Sequence, residues 1–504
     1  MDIEERHHGG STPWDDDALH EECGVYGVLG VDEAANYVAL GLHALQHRGQ
    51  EAAGIVSYHS ETGFNTVRRI GLVRDNFTKK PVMDALPGRI ALGHTRYSTA
   101  GDKNVPSIRD TQPLYAEFAL GSCAIAHNGN LTNADELRAQ LIERGSIFQS
   151  GSDTECIVHL MARSIQKTIP ERMKDALRLV EGAFSVIAMT RSKMIGVRDP
   201  LGVRPLVLGR MANHTGPGGD GYILASETCA LDIVGAEFIR EVEPGEMVIV
   251  SEEGVETSRP FEPRRSRFCV FEYVYFSRPD SLIGGTSVYE ARRRIGVELA
   301  REAPAEADLV CPVPDSGTPA AIGYSQESGI PYAMGIIKNQ YVGRTFIEPT
   351  DQIRDMGVRL KLNINRAVVR GRRVVLVDDS VVRGTTSRKI KDMLLDAGAA
   401  EVHFRIASPP TKWPCFYGVD TPNRDKLLAA SMSEEEICAH LGVTSLRFVS
   451  LDGLYRAAGE AAGRDDKSPR FCDACFSGDY PIKPVDAERR GALHVAPKSE
   501  KTPA

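Results

Sequence analysis

Two patterns of apolar and polar positions divide the chain. In the first half, short apolar runs bounded by Gly, Asn and Pro predict sheet strands. The runs are CGVYGVLG, RIALGHTRYS, CAIAHNGN, FSVIAMT, GYILASE and EMVIVSEEG. Apolar residues recur with helical spacing between them, in Ala34–Leu45, Ala134–Glu143 and Thr154–Ser164. Residues 23–260 are therefore predicted to form one α+β domain.

After Cys269, apolar strand runs alternate with helical patterns. The runs are Asp308–Pro314, Tyr332–Ile337, Arg373–Asp378 and Glu401–Ala407. This alternation is typical of βαβ units and predicts an α/β domain with a parallel sheet over residues 269–480. The polar, Pro-containing stretch Glu252–Arg267 is predicted to be the linker between the two domains.

Both ends of the chain are polar. Residues 1–22 lack the basic start and apolar centre of a signal peptide, so they are interpreted as a flexible leader on a cytoplasmic protein. The Pro- and Lys-rich residues 481–504 are predicted to be disordered. The net charge of the 504 residues is −8, and no apolar run is long enough to span a bilayer. Nucleic acid and membranes are therefore not expected as partners.

Cys23 begins a strand run directly after the leader. A lone cysteine in this position is most often a core residue, but four further segments favour chemistry: QHRGQEAAG from Gln46, GHTRYSTAG from Gly93, AHNGNL from Ala126 and SDTE from Ser152. A thiolate can attack a carboxamide carbon. The α-amine of Cys23 can take the thiol proton if Cys23 becomes the first residue.

The same segments offer the other groups that hydrolysis of glutamine needs. An Asn-Gly pair such as Asn128-Gly129 presents a side-chain NH2 and a backbone N–H to an oxyanion. A guanidinium such as that of Arg96 suits the α-carboxylate of glutamine, and a carboxylate such as that of Asp153 suits its α-ammonium group. Taken alone, these residues would equally be a turn, a surface ion pair and a helix N-cap.

The combination of segments resembles the glutaminase domain of the N-terminal-nucleophile amidotransferases, over roughly residues 23–250. The resemblance implies an αββα sandwich from which the leader is removed as a propeptide. It also implies roles for five residues: the nucleophile Cys23, the oxyanion-binding Asn128 and Gly129, and the glutamine-binding Arg96 and Asp153.

A second candidate site lies in the string VVLVDDSVVRGTT, which ends at Thr386. Asp378 and Asp379 fall at the carboxyl end of the predicted strand, where ligands of open α/β sheets bind. Adjacent carboxylates can hold ribose hydroxyls or hydrated Mg²⁺, and a Gly-Thr-Thr turn at a helix start presents donors to a phosphate. Without a family resemblance, the string would be interpreted as an Asp-rich turn and a capped helix.

The full string resembles the phosphoribosyl pyrophosphate signature of the type I phosphoribosyltransferases. The resemblance implies that Asp378 and Asp379 contact the ribose and one Mg²⁺ ion per subunit. It implies a 5′-phosphate site formed by Val382, Arg383, Gly384, Thr385 and Thr386.

Two further segments resemble loops of the same transferases. PVPDSGTPAA is similar to the pyrophosphate loop, which implies that Ser316 lies near the metal. KNQYVGRTFI is similar to the loop that closes over the substrate, which implies that Lys338 and Arg344 contact phosphates. Taken alone, the first is a turn and helix start, and the second is a solvated loop.

Four of the ten cysteines form a third candidate site. Cys472 and Cys475 form a CxxC motif, and Cys269 and Cys415 lie among aromatic residues. Such a set can bind zinc or an iron–sulfur cluster, and the residues alone favour zinc. However, the chain resembles one subgroup of these transferases, which has both a cleaved leader and a [4Fe–4S] cluster. This resemblance implies one [4Fe–4S] cluster per subunit on the four cysteines.

Together the resemblances imply one reaction. Ammonia released from glutamine displaces pyrophosphate from phosphoribosyl pyrophosphate, giving 5-phosphoribosylamine in the first committed step of purine synthesis. By the same resemblance we expect a homo-oligomer, either a tetramer or a dimer, that purine nucleotides inhibit. One alternative is a related amidotransferase such as glucosamine-6-phosphate synthase or asparagine synthetase, which VDDSVVRGTT disfavours. The other is a non-enzymatic regulator, in which the glutaminase segments would have no purpose.

Overall fold

The computed structural model describes residues 20–21, 23–97, 107–216, 219–339 and 361–489. The first half of the chain is built mainly from antiparallel strands. Its strands are β1 (His20–Glu21), β2 (Gly24–Leu29), β3 (Ala52–His59), β4 (Gly63–Ile70), β5 (Ile90–Arg96), β6 (Leu114–Phe118), β7 (Gly121–Leu131), β8 (Gly182–Met189), β9 (Met194–Arg198), β10 (Val207–Gly216), β11 (Gly219–Ala225), β12 (Glu237–Glu241), β13 (Met247–Ser251) and β14 (Gly254–Ser258). Its helices are α1 (Ala34–Ala44), α2 (Val73–Asn76), α3 (Lys80–Asp84), α4 (Ala134–Glu143), α5 (Thr154–Arg163), α6 (Ile169–Leu177) and α7 (Cys229–Asp232).

Two stacked sheets form the centre of this half. Within the described residues, seven strands follow the order β12-β10-β11-β2-β5-β3-β4 and six follow the order β14-β13-β9-β8-β7-β6. Apolar side chains of both sheets meet in one buried layer, with Val25 and Leu92 from the first sheet and Ile187 and Val248 from the second. Helix α1 packs on the first sheet, and α4, α5 and α6 pack on the second. This confirms the αββα sandwich.

The three helices predicted from apolar spacing are confirmed to within one residue at each end. In α4, for example, the buried residues Leu137 and Leu141 are four positions apart and therefore lie on one face. Burial of that face against the second sheet stabilises a helix that would be marginal by itself.

The second half of the chain has shorter strands and more helices. Its strands are β15 (Phe268–Cys269), β16 (Leu282–Ile283), β17 (Thr286–Ser287), β18 (Leu309–Pro312), β19 (Ile336–Lys338), β20 (Leu362–Ile364), β21 (Arg373–Asp378), β22 (Glu401–Ile406), β23 (Val419–Asp420), β24 (Ser445–Phe448) and β25 (Phe471–Cys472). Its helices are α8 (Val288–Glu302), α9 (Thr318–Ser328), α10 (Arg366–Val369), α11 (Thr385–Asp396), α12 (Leu428–Ser431), α13 (Glu434–Leu441), α14 (Leu451–Ala457), α15 (Ala474–Ser477) and α16 (Val485–Arg489), with a π-helix at Glu272–Phe276.

A parallel sheet lies at the centre of this half. Its described strands follow the order β18-β21-β22-β24, and each neighbouring pair is parallel. Val375 and Val377 of β21 belong to the core that contains α8 and α9. Val374 and Leu376 belong to the core on the other face, with α11 and α13. The continuous apolar run of β21 is explained by burial on both faces, and the predicted parallel sheet is confirmed.

Two predicted segments differ from the structure. Part of the predicted linker is wrong, because Gly254–Ser258 forms β14 and pairs with β13 as an edge strand of the second sheet. The strand predicted at Tyr332–Ile337 begins later, at Ile336, and Tyr332 makes only an isolated bridge to Val310. The domain boundaries at residues 23–260 and 269–480 stay predictions.

The two halves share buried contacts. Leu201 and Val203 of the first half lie in the same apolar core as Phe268 and Tyr273 of the second. Strand β1, from the predicted leader, pairs antiparallel with β23 of the second half. Among the described residues, no helix is both long and apolar enough to cross a membrane.

Candidate active sites

Cys23 directly precedes the first residue of β2, and β2 pairs with β5, the strand that ends at Arg96. Gly24 is opposite Thr95 in the β2–β5 register, and its backbone N–H donates to Thr95 Oγ1 at 3.1 Å. The Cys23 thiol is buried and lies 3.7 Å from the carbonyl oxygen of Tyr97. The antiparallel pairing therefore brings the predicted nucleophile close to the predicted carboxylate-binding arginine.

Ser226 connects the strand of Cys23 with the predicted oxyanion site in the second sheet. Its Oγ accepts a 3.0 Å hydrogen bond from the backbone N–H of Val25 and lies 3.5 Å from Asn128 Nδ2. Ser226 is fully buried directly after β11. Ser226 was not predicted from sequence, because a single serine at the end of a strand carries no local signal of its contacts.

Gly129 occupies a position that no other residue can fill without a shift of the backbone. Its φ is +136°, and an added Cβ would lie 2.1 Å from the carbonyl oxygen of Ala183. The close approach of β7 and β8 at this point sets the direction of the Gly129 backbone. The glycine of the Asn-Gly pair is thus required by the sheet itself.

The two residues predicted to bind the amino-acid end of glutamine are both buried and are joined by a third. Asp110 lies 3.5 Å from Arg96 Nη2 and accepts a 2.7 Å hydrogen bond from the backbone N–H of Gly151. Gly151 begins the loop that leads to Asp153. Asp110 was also missed from sequence, although it lies between two of the quoted segments.

Asp153 is held as a carboxylate. Burial raises the pKa of Asp153, but His127 and the backbone N–H groups of Leu131 and Thr154 lower it by more, so that it lies below the usual 3.8. The Leu131 N–H donates to Asp153 Oδ2 at 2.9 Å. A buried, ionised carboxylate of this kind suits an ammonium group. The nearby His94 is neutral, since burial lowers its pKa to about 3.

The predicted phosphoribosyl site lies at the carboxyl ends of β18 and β21. Pro312 is opposite Val377 in this parallel pair, and the Val313 N–H donates to the Val377 carbonyl at 2.8 Å. Asp378 and Asp379 follow and are both buried. Burial and the neighbouring carboxylate of Asp379 raise the pKa of Asp378 well above its usual range. Two buried adjacent acids of this kind fit a site for a divalent cation, which would favour their ionised forms.

The other predicted transferase residues surround this strand edge. Ser316 lies between β18 and α9, in the loop beside Asp315. Lys338 ends β19, and its Nζ lies 2.5 Å from Asp315 Oδ2. The predicted phosphate segment forms the turn before α11 and its first residues: Val382, Arg383, Gly384, Thr385 and Thr386. Arg344 lies outside the described residues.

The four candidate ligand cysteines come together from distant parts of the chain. Cys269 is opposite Cys472 in the parallel pair of β15 and β25, and the Cys475 carbonyl accepts from the backbone N–H of Trp413, two residues before Cys415. Burial raises the pKa of Cys475 well above its usual range, and the other three thiols raise it further. Burial likewise raises the pKa of Cys269 to about 12.

Four cysteine thiolates are the donor type that both structural zinc and iron–sulfur clusters take. Within the described part of the chain, no three His, Cys, Asp or Glu side chains meet closely enough to hold a single metal ion. The four thiols therefore form a neighbourhood within electrostatic reach of one another rather than a closed single-ion site.

Comparison with known proteins agrees with the resemblances found in the sequence. Residues 94–232 match the family described as "Glutamine amidotransferase domain". The chain is 54% identical to amidophosphoribosyltransferase of Rhizobium etli over 480 residues, covering 94% of each chain. It is 48% identical to amidophosphoribosyltransferase of Bacillus subtilis, covering 92% of this chain and 95% of that protein.

A solved structure is similar over most of its length. Glutamine phosphoribosylpyrophosphate amidotransferase from B. subtilis, in complex with ADP and GMP, matches with a TM-score of 0.84 at 47% identity. The match covers 92% of this chain and 98% of that one.

An N-terminal-nucleophile sandwich with a glutamine amidotransferase match, followed by a phosphoribosyltransferase-type parallel sheet, defines a glutamine-dependent phosphoribosyl transferase. The sequence identity to the two curated relatives, and the share of each chain that it covers, establish the family. The chain belongs to the amidophosphoribosyltransferase family. It uses glutamine to aminate phosphoribosyl pyrophosphate, giving 5-phosphoribosylamine, glutamate and pyrophosphate in the first step of purine biosynthesis. The two alternatives considered from sequence are thereby wrong.

Proposed function

We propose that Cys23, freed of residues 1–22, is the nucleophile of the glutaminase reaction. Its thiolate attacks the carboxamide carbon, its own α-amine takes the thiol proton, and Asn128 Nδ2 with the Gly129 N–H stabilises the oxyanion. Arg96 binds the α-carboxylate of glutamine and Asp153 binds its α-ammonium group. The observation that carries this assignment is Ser226, whose hydroxyl contacts both the strand of Cys23 and the side chain of Asn128.

The backbone at Cys23 supports removal of the leader. Cys23 has a φ of +45°, a left-handed conformation that costs a non-glycine residue on the order of 1–2 kcal/mol. The φ torsion exists only while a residue precedes Cys23. Cleavage before Cys23 therefore removes this cost together with the peptide bond, and it releases the α-amine that the proposed chemistry uses.

In the transferase half we propose that Asp378 and Asp379 hold the ribose hydroxyls and one Mg²⁺ ion. Ser316 lies near the metal, Lys338 and Arg344 contact phosphates, and Val382–Thr386 holds the 5′-phosphate. The support is the convergence of β18, β21 and the Lys338–Asp315 pair on one edge of the parallel sheet. Bound magnesium would neutralise the charge on the pyrophosphate leaving group.

We propose that Cys269, Cys415, Cys472 and Cys475 hold one [4Fe–4S] cluster. The support is the gathering of four cysteine thiols by the β15–β25 pair and the Trp413–Cys475 contact. Zinc is the competing occupant. We propose a structural contribution for this group, because its four thiols join segments that are far apart in the chain.

Regulation, assembly and location are proposed from the family. The complex of the B. subtilis relative with ADP and GMP supports inhibition of this chain by purine nucleotides. A homo-oligomer, either a tetramer or a dimer, and a cytoplasmic location complete the proposal.

The test combines intact mass with two nitrogen sources. Protein purified without oxygen should have lost residues 1–22, and Cys23→Ala should abolish synthesis from glutamine but retain synthesis from free ammonia. A fully active enzyme that still carries Glu22 would contradict the role of the α-amine. Equal loss of both activities in a folded Cys23→Ala protein would contradict the division of the two sites.

A further inference from the structure

A network of buried charges lies where the two halves of the chain meet. Arg48, Glu227 and Arg204 come from the first half and Glu272 from the second, and their side chains are at most 2% exposed. Arg48 binds both carboxylates, pairing through Nε with Glu227 and donating from Nη2 to Glu272 Oε2 at 2.6 Å. Arg204 Nη1 donates to the other oxygen, Glu272 Oε1, at 3.1 Å.

The second half supplies further donors to both carboxylates, and His47 of the first half also lies 2.6 Å from Glu227. Ser277 Oγ donates to Glu272 at 2.6 Å, and Ser281 Oγ donates to Glu227 at 2.6 Å. The Arg278 N–H also donates to Glu227, at 2.9 Å. Buried ion networks of this kind carry a desolvation cost, and apolar replacements are often at least as stable. Stability alone is therefore a weak explanation for the network, and fixed placement of its members is a better one.

One side of the network reaches the strand of Arg96. Arg48 is followed by Gly49, whose backbone packs so closely on this strand that an added Cβ would lie 2.6 Å from the Thr95 carbonyl carbon and 2.7 Å from the Arg96 nitrogen. The Glu51 N–H then donates to the Arg96 carbonyl at 3.1 Å. The position of Arg48 is thus transmitted by backbone contact to the residue that binds the glutamine carboxylate.

The other side reaches the oxyanion strand. Arg204 Nε donates to the Tyr417 carbonyl at 2.9 Å, and Asn130 Nδ2, next to Gly129, donates to the Phe416 carbonyl at 3.0 Å. The Arg204 carbonyl accepts from Ser185 Oγ at 3.2 Å. Ser185 is directly opposite Asn128 in the β7–β8 register.

We propose that Glu272 is a positioning residue for glutamine hydrolysis. This proposal rests on the glutamine site assigned above. By binding both Arg48 and Arg204 with one carboxylate, the transferase half sets the carboxylate-binding side and the oxyanion side of that site together. Glu272 touches no substrate, and its effect is on the geometry of Arg96 and of the Asn128-Gly129 pair.

The test uses three variants of the full chain. Glu272→Gln removes the charge that both arginines share. Ser277→Ala removes two hydrogen bonds, the one donated to Glu272 and the one accepted from Arg48, and keeps the charges. Glu246→Gln is the matched control, because Glu246 is a buried carboxylate paired with a single arginine, Arg240, outside the network. Each protein is measured for glutaminase KM and kcat, for synthesis from ammonia and for its thermal midpoint.

We expect Glu272→Gln to raise the glutamine KM by about tenfold, because both arginines lose the charge that they share, and Ser277→Ala to raise it by about threefold, because that variant keeps the charges. Synthesis from ammonia should stay within about twofold in all three proteins, and the control should leave the glutamine KM unchanged. A purely structural role would lower both activities in parallel and would overturn the proposal, as would an unchanged glutamine KM. If Glu272→Gln does not fold, Ser277→Ala decides by the same criteria.

Failure of this inference is distinguishable from failure of the glutamine-site assignment. Cys23→Ala is measured alongside. If it keeps its glutaminase activity, the assignment itself is wrong. If it loses that activity while Glu272→Gln and Ser277→Ala keep the wild-type glutamine KM, only the positioning role of Glu272 is wrong.

Discussion

The carboxylate of Asp110 accepts a 2.7 Å hydrogen bond from the backbone N–H of Gly151. The same carboxylate lies 3.5 Å from Arg96 Nη2, so Asp110 joins the arginine to the loop that carries Asp153. Both groups proposed to bind the amino-acid end of glutamine therefore depend on one buried side chain.

We expect Asp110→Asn to raise the glutamine KM by about tenfold, because the loop loses a charge-assisted acceptor and Arg96 loses a partner. Steady-state glutaminase kinetics are the measurement, and synthesis from ammonia is the internal control. Asp175→Asn, a carboxylate of the same half bound to Ser164, is the matched variant. An unchanged glutamine KM in folded Asp110→Asn would contradict the role of this bridge.

Gly129→Ala should abolish most glutaminase activity. The added methyl group would lie 2.1 Å from the Ala183 carbonyl oxygen, so the backbone N–H proposed for the oxyanion must move. Loss of one such donor typically costs about 10²–10³ in kcat. Gly121→Ala is the control on the same strand, since its φ is +108° and nothing lies within 4 Å of an added Cβ. Equal effects of the two substitutions would show that backbone strain, and not the oxyanion, explains the loss.

Asp378→Asn and Asp379→Asn should remove synthesis from either nitrogen source and leave basal glutaminase activity within about twofold of wild type. Each substitution halves the local carboxylate charge available to the ribose and Mg²⁺. Asp308→Asn, which alters a surface carboxylate of the same half paired with Arg373, is the control. Retention of ammonia-dependent synthesis in both variants would show that these acids do not bind the acceptor.

Anaerobically purified protein should contain four iron atoms per chain in the proposed [4Fe–4S] cluster. Cys472→Ser should lose the iron and lower the thermal midpoint, because the thiols tie together segments far apart in the chain. Cys438→Ser is the control, since the Cys438 thiol contacts the nearby Val443 carbonyl and is not one of the four candidate ligands. Stoichiometric zinc without iron, by elemental analysis, would decide for the competing occupant.

The buried charge network should make stability depend on acid pH. Burial raises the pKa of Glu272, but Arg48 and Arg204 lower it by more, so that it lies below the usual 4.5. Because the folded-state pKa is lower than the unfolded one, the stabilisation is present above about pH 4.5 and is lost as the pH falls below that value. The urea midpoint of wild type should exceed that of Glu272→Gln at neutral pH, and the difference should shrink below about pH 4.5. A difference that stays constant with pH would argue against a charged Glu272.

The accurately predicted elements are those whose own apolar pattern indicates which of their faces are buried. Arg373–Asp378 was predicted without error, because an unbroken apolar run of that length fits a strand buried on both faces. The helix Ala134–Glu143 shows its buried face in its own spacing. In contrast, Gly254–Ser258 is polar and joins the sheet only as an edge strand, so its composition suggested a linker.

The residues of the candidate glutamine and phosphoribosyl sites also divide into those that the sequence predicts and those that it does not. Cys23, Asn128 and Asp378 lie in strings whose residue types already suggest chemistry. In contrast, Ser226 and Asp110 contact residues that are distant in sequence, and both accept hydrogen bonds from backbone N–H groups. Their roles depend on strand register and loop placement, which a single sequence does not contain.

The pairing of Cys269 with Cys472 has a consequence for the protein during its translation. About 200 residues separate these partners, so at roughly 5–20 residues per second the first strand is made about 10–40 s before the second. The cysteine neighbourhood is therefore complete only after Cys475 has been synthesised. A chain released early, through premature termination or cleavage, would lack Cys472 and Cys475 and could not complete the set. Occupancy of the proposed four-cysteine centre would thus report that the chain has been synthesised at least as far as Cys475.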